Sequence, residues 1–167
     1  LLFSILSLSV SAQKPTKAEK AAQLEQEFQQ TRQLIESNHF QFELNRVYPQ
    51  DGQDLSRFNP RGKFVITDSV AKGTLPFFGR AYSLPYGEGG GIEFDGVMKD
   101  QSLKIEHKKK RKILIYRFSI TAKNDTYQIS MEISGGGNCS VNLNSNNRAQ
   151  ISYSGTVSPV KDETGKS

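Results

Sequence analysis

One cysteine, two histidines and no tryptophan leave this 167-residue chain poor in chemistry-bearing side chains. Cys139 stands alone, so no disulfide can close within the chain. It alternates with Val141 and Leu143, which reads as a small buried hydrophobe rather than a reactive thiol. His39 and His107 lie far apart, and neither has a second His or Cys at ligand spacing, so no metal site is expected. There is no Gly-x-Ser-x-Gly elbow, and Cys139 has no local signature of a catalytic thiol. No catalytic residue and no cofactor are read from the sequence. No apolar run is long enough to cross a bilayer as a helix.

The aromatic content fills the gap. Ten Phe and six Tyr supply most of the bulky core material. With 35% hydrophobic and 23% charged residues, the chain is too apolar and too aromatic for a disordered one. Its length fits one domain, large enough to need no disulfide or metal staple. The formal net charge of +5 permits weak attraction to anionic lipid or polysaccharide. It does not argue for nucleic acid, and no nucleic-acid partner is expected.

Leu1 to Val10 reads LLFSILSLSV, an apolar run of signal-peptide length. Val10-Ser11-Ala12 then offers small residues where a signal peptidase reads, with cleavage expected between Ala12 and Gln13. Neither an initiator Met nor a basic stretch precedes the run, so its first few residues are expected upstream of Leu1. No Cys follows the cleavage site, so no lipoprotein anchor is expected there. The reading is an exported protein of the bacterial envelope, periplasmic or secreted, with no transmembrane segment in its mature chain.

After a linker at residues 13–16, Thr16 and Glu19 are spaced as a capping box. Lys17 to Ser37 reads as an amphipathic helix, with Ala21, Leu24, Phe28, Thr31 and Ile35 at steps of three and four. Its first turns are mostly Ala on the apolar side, so Phe28, Leu34 and Ile35 are the expected docking residues. The rest alternates with period two. His39–Val47, Lys63–Val70, Leu75–Ser83, Ile92–Met98, Leu103–Ile105, Leu114–Ile120, Tyr127–Ile133, Cys139–Leu143 and Ala149–Val157 are the expected strands. Successive runs with short turns imply an antiparallel meander. The expected fold is mainly β: one helix packed on a strongly curved sheet or incomplete barrel of about eight strands, spanning residues 17–160. A two-layer sandwich is the alternative. Residues 161–167 form an expected frayed tail.

Four segments invite a functional reading. Leu75 to Gly96 crowds Phe77, Phe78, Tyr82 and Tyr86 around glycines and Pro85. Strict alternation cannot bury them all on one face. Either some line a ligand groove, with Phe78, Arg80, Tyr82 and Tyr86 as contact residues, or they pack beneath the helix at a bulged edge. Gly87 to Gly91 holds four glycines but no Gly-Lys-Ser/Thr follows, so it reads as a hairpin connection rather than a phosphate loop. Glu93 and Asp95 share one strand face, as a carboxylate pair acting on a sugar or as a solvated polar face. Lys108, Lys109, Lys110, Arg111 and Lys112 form a basic turn, either a contact for anionic envelope surface or a guard against edge aggregation.

Several phrases together resemble a known family. They are Phe40-Gln41-Phe42-Glu43, Leu75-Pro76-Phe77-Phe78-Gly79-Arg80-Ala81-Tyr82, Pro85-Tyr86, Gly90-Gly91-Ile92-Glu93-Phe94 and Tyr153-Ser154-Gly155-Thr156-Val157. With the signal peptide and helix before them, they resemble the secreted DUF4251 proteins of Bacteroidetes-type bacteria. The resemblance implies a compact β-rich envelope domain behind an N-terminal helix, and it carries no activity and no catalytic residue. Three functions stay open. The first is a non-enzymatic binding module for an apolar or amphipathic envelope molecule, such as a lipid. The others are an interaction protein touching anionic envelope surface through the basic turn, and a glycan-acting enzyme using Glu93 and Asp95.

Overall fold

The computed structural model describes residues 16–50, 55, 58–82, 90–108, 111–123 and 125–161. The expected signal peptide, the Ala12–Gln13 cleavage site, Tyr86, Lys109, Lys110 and residues 162–167 lie outside the described residues.

Helix α1 spans Lys17–Glu36. The capping box forms: the Thr16 N–H donates to Glu19 Oε2 at 2.6 Å, and the Glu19 N–H donates to Thr16 Oγ1 at 3.2 Å. These two bonds satisfy donors that a bare helix end leaves unpaired. Phe28, Thr31 and Ile35 are buried and Leu34 is half-buried, whereas Leu24 stays exposed. The docking half of the helix is the C-terminal half, as the thin apolar stripe of its first turns implies. Asn38, in the left-handed region at φ 49, turns the chain into the first strand.

The strands are β1 (His39–Pro49), β2 (Lys63–Thr67), β3 (Val70–Leu75), β4 (Ile92–Lys108), β5 (Arg111–Thr121), β6 (Thr126–Ser134), β7 (Asn138–Ser145) and β8 (Ile151–Pro159). Each pairs antiparallel with the next, and β8 returns to β1 with Val157 opposite Phe42, so the sheet closes into a barrel. Closure removes most of the edge that a curved open sheet would expose. The sandwich alternative is not what forms.

Ile92–Met98 and Leu103–Ile105, expected as two strands, are the single strand β4, and two further boundaries need correction. Lys63–Val70 is not one strand: Asp68 takes φ 55, and a two-residue turn with Thr67 opposite Val70 splits it into β2 and β3. In its described part, to Tyr82, the expected strand Leu75–Ser83 does not form beyond Leu75. Strand pairing stops at Leu75, and Pro76, lacking an N–H, cannot continue the ladder.

An eight-stranded barrel has an interior just wide enough for side chains to fill it. Here aromatic rings fill much of it. Phe42 stacks on Phe64 at 5.1 Å between centroids, Phe64 meets Phe94 at 5.8 Å, and Phe94 meets Tyr127 at 6.3 Å. Phe40, Tyr116 and Phe118 form a second run. Gly73 lies between Phe64 and Phe94 in the ladder, and a Cβ there would overlap Phe64. Its missing side chain is what lets the two rings meet. Outward positions such as Lys72, Glu93, Asp95, Lys104, Arg117 and Gln128 are polar and exposed. That polarity is the inverse of a membrane-spanning barrel. Among the described residues, no helix is long and apolar enough to cross a membrane.

Helix α1 lies across one end of the barrel, beside the turns at Ser69 and Gly135–Gly137. At the opposite end are the connections after β1, β3, β5 and β7.

Candidate functional site

The helix-free end carries an aromatic groove. After β3 the chain runs through Pro76–Gly79 and then lies beside the segment before β8. The Tyr82 N–H donates to Asn147 O at 2.7 Å, and the Ala149 N–H donates to Arg80 O at 2.9 Å. Ala81 bridges Arg148 between them. Alternation then puts Arg80, Tyr82 and Ala149 on one side and Arg148 on the other. The first side, with Pro49, Leu55 and Phe78, lines a groove of about 650 Å³. Phe78 is 39% exposed and Tyr82 65% exposed; of the other rings described, Phe58 is also exposed, Tyr48 and Phe77 are half-buried, and the rest are buried.

Arg148 holds this short pairing from behind. Its guanidinium lies over the Phe77 ring, 5.1 Å from the centroid, and its Nε is 3.8 Å from Asp125 Oδ2. Both charged side chains are about 95% buried. Asp125 also accepts from Ser145 Oγ at 2.7 Å, Asn147 Nδ2 at 3.3 Å and the Thr126 N–H at 2.8 Å. A buried charge pair is tolerated when hydrogen bonds offset its desolvation. Asp125 meets that condition; Arg148 Nε and Nη1 have no hydrogen-bond partner.

Of the residues expected to contact a ligand, the structure brings Phe78, Arg80 and Tyr82 onto one groove. Tyr86 lies outside the described residues. The rings do not pack beneath the helix, because the helix covers the other end. Sequence reasoning missed Pro49, Leu55 and Ala149, which come from three distant segments, and it missed the Arg148–Asp125 pair behind them. No sequence signal marks an arginine as buried when its partner is 23 positions away.

The basic turn sits at the helix end. Lys108 pairs with Glu132 at 2.7 Å. Lys112 pairs with Glu25 of α1 at 2.9 Å and lies 5.6 Å from the Phe28 ring centroid. Hydrogen bonds from Gln29 and Lys112 hold the Glu25 carboxyl below its ordinary range. Two of the five basic residues are therefore engaged with carboxylates, and Arg111 is exposed.

Glu93 and Asp95 face outward in a second groove, of about 640 Å³, lined also by Lys63, Lys72 and Thr121. Asp95 accepts from Lys72 at 2.7 Å, and that bond raises the Lys72 ammonium above its ordinary pKa. The carboxylate best placed to work with Glu93 is thus held by a cation. Cys139 is buried, and burial pushes its thiol up, which favours the inert protonated form.

Fold and site together define a closed antiparallel barrel with a helix across one end and an aromatic groove at the other. The family model for a domain of unknown function, DUF4251, matches residues 22–157. The chain belongs to the DUF4251 family. A crystal structure of a DUF4251 family protein from Bacteroides eggerthii is similar, with a TM-score of 0.58 and 22% identity. The likeness covers 84% of this chain and 91% of that chain, and it establishes the shared fold. No curated protein matches the chain.

Proposed function

We propose that this protein is an exported, non-enzymatic binding module of the bacterial envelope. It works in the periplasm or after secretion and takes an apolar or amphipathic envelope molecule in the groove of Phe78, Arg80 and Tyr82. The observation that carries this reading is the convergence of two exposed rings, Phe78 and Tyr82, with Arg80 on one concave groove at the helix-free end. Exposed aromatics in a concave site supply apolar contact area at low entropic cost, and a cation beside them can orient a polar head. The groove volume lies within the range of small-molecule sites. Export rests on Leu1–Ala12, whose composition is that of a signal peptide.

Engagement of Lys108 and Lys112 by Glu132 and Glu25 leaves less free charge for an anionic surface than the sequence alone implies. The ion pair at Asp95 likewise gives the glycan-acting reading less support than the groove.

The test is a titration of the isotopically labelled protein with a lysophospholipid and with a long-chain fatty acid below their micelle thresholds. Saturable shifts of the Phe78, Arg80 and Tyr82 amides support the groove. Unmoved groove amides with both ligands overturn it.

A further inference from the structure

Closing the barrel leaves one stretch of strand uncovered. The β3–β4 ladder ends where Val70 faces Val97, yet β4 continues to Lys108, paired on its other side to β5. Between Ser102 and Lys108, β4 therefore presents an open edge, and no hydrogen bond from another described segment covers it. Such an edge offers a row of unpaired backbone groups that another strand can take up. Proteins commonly guard edges with charge, and this one carries Lys104, Glu106 and Lys108, all exposed.

The order of those charges matters more than their presence. Let two copies of β4 pair antiparallel about Ile105. Lys104 then faces Glu106 of the second copy, and Glu106 faces its Lys104. Ile105, which is 41% exposed, faces Ile105, and Lys108 faces Ser102. A one-residue slide puts the apolar residues of the two copies on opposite faces; the next register toward the C-terminus that keeps them together, two residues on, sets Glu106 against Glu106 and Lys104 against Lys108. Sliding as far the other way sets Lys104 against Lys104. Among the registers that keep the apolar residues on one face, the charge pattern thus selects one, by attraction there and repulsion on either side. A twofold interface needs this kind of self-complementarity. Leu103 and Ile105 face the same side as Tyr116 and Leu114, their buried ladder partners, so the apolar residues of both copies would also share one face.

We infer that the protein associates with a second copy of itself through antiparallel pairing of the β4 edges, in the register centred on Ile105. This edge lies on the extended β4–β5 hairpin at the helix end and is independent of the groove.

Sedimentation velocity over a wide concentration range, at low and high salt, tests the inference. The expected result is a reversible dimer that weakens as salt screens the exposed pairs. Glu106→Lys puts like charges opposite one another at both reciprocal positions, and it raises the dimer dissociation constant by about tenfold or more. The swap of Lys104→Glu with Glu106→Lys keeps the complementarity and returns the wild-type constant. Circular dichroism melts of each variant, unchanged from wild type, show that folding is intact. A monomer at every concentration overturns the inference, and so does a dimer indifferent to Glu106→Lys.

Discussion

Asp125 accepts hydrogen bonds from Ser145, Asn147 and Thr126 while standing 3.8 Å from the buried guanidinium of Arg148. Removing the carboxylate leaves Arg148 as an uncompensated charge in the interior, which typically costs about 3–5 kcal/mol. Asp125→Ala is expected to lower stability by about 3 kcal/mol in urea unfolding. Arg148→Met keeps the packing on Phe77 and removes the charge, so its cost is smaller. The ordering of the two variants is the check, because a merely polar surface contact would make both near neutral.

Gly155 lies against the ring of Phe42. A Cβ at position 155 would come 2.7 Å from Phe42 Cε2 and 2.8 Å from Cζ, and it would also overlap Glu43 O. Gly155→Ala therefore forces the Phe42–Phe64 stack and the β1–β8 seam apart. The expected loss is about 1–3 kcal/mol, the range for overpacking a core. Thermal unfolding followed by circular dichroism measures it.

The helix should divide into two halves of unequal weight. Phe28 is buried against the barrel and Leu24 is 60% exposed. Phe28→Ala is expected to cost about 3 kcal/mol. Leu24→Ser is expected to stay within about 0.5 kcal/mol of wild type. Equal effects would mean that the whole helix docks.

Alkaline pH should unfold the barrel from within. Burial raises the Tyr116 hydroxyl from 10.0 to about 12, and it also raises Tyr153 and the Cys139 thiol. Each keeps its proton in the folded state at a pH where the unfolded chain has lost it. The unfolded state then binds fewer protons, so stability falls as pH rises. The contribution is complete below about pH 8 and declines from about pH 9 upward, Tyr116 giving up its share between about 10 and 12. Denaturant midpoints at about pH 8 and pH 11 read the loss. Tyrosinate absorbance should show Tyr116 and Tyr153 ionising together with unfolding.

Where the alternation is unbroken, the fold is legible in the sequence. Leu114–Ile120, Tyr127–Ile133 and Cys139–Leu143 name inward-facing residues of β5, β6 and β7. Thr16 and Glu19 mark the helix start. The pattern misleads where a bulge changes which parity faces inward. In β4, Asp100 and Gln101 together stand opposite Phe118, so inward positions pass from Phe94 and Met98 to Leu103 and Ile105. One 17-residue strand then reads as two short ones. In β1 the same step after Leu44 brings Val47, rather than residue 46, inward. Closure itself was not legible, because the β1–β8 seam joins strands more than 100 residues apart. Aromatic crowding at Leu75–Tyr82 pointed to the groove. Its remaining walls were not legible, since Pro49, Leu55 and Ala149 are ordinary residues brought there only by the barrel.

Phe78 and Tyr82 are exposed, so replacing them costs the fold little, and a loss of binding can be read separately from a loss of structure. The most direct measurement is native mass spectrometry of the protein purified from a bacterial envelope, beside a Phe78→Ser/Tyr82→Ser double variant of unchanged melting temperature. The account predicts a discrete added mass on the wild-type chain that denaturation removes and the variant lacks. The same added mass on both proteins, or the bare chain mass for both, contradicts it.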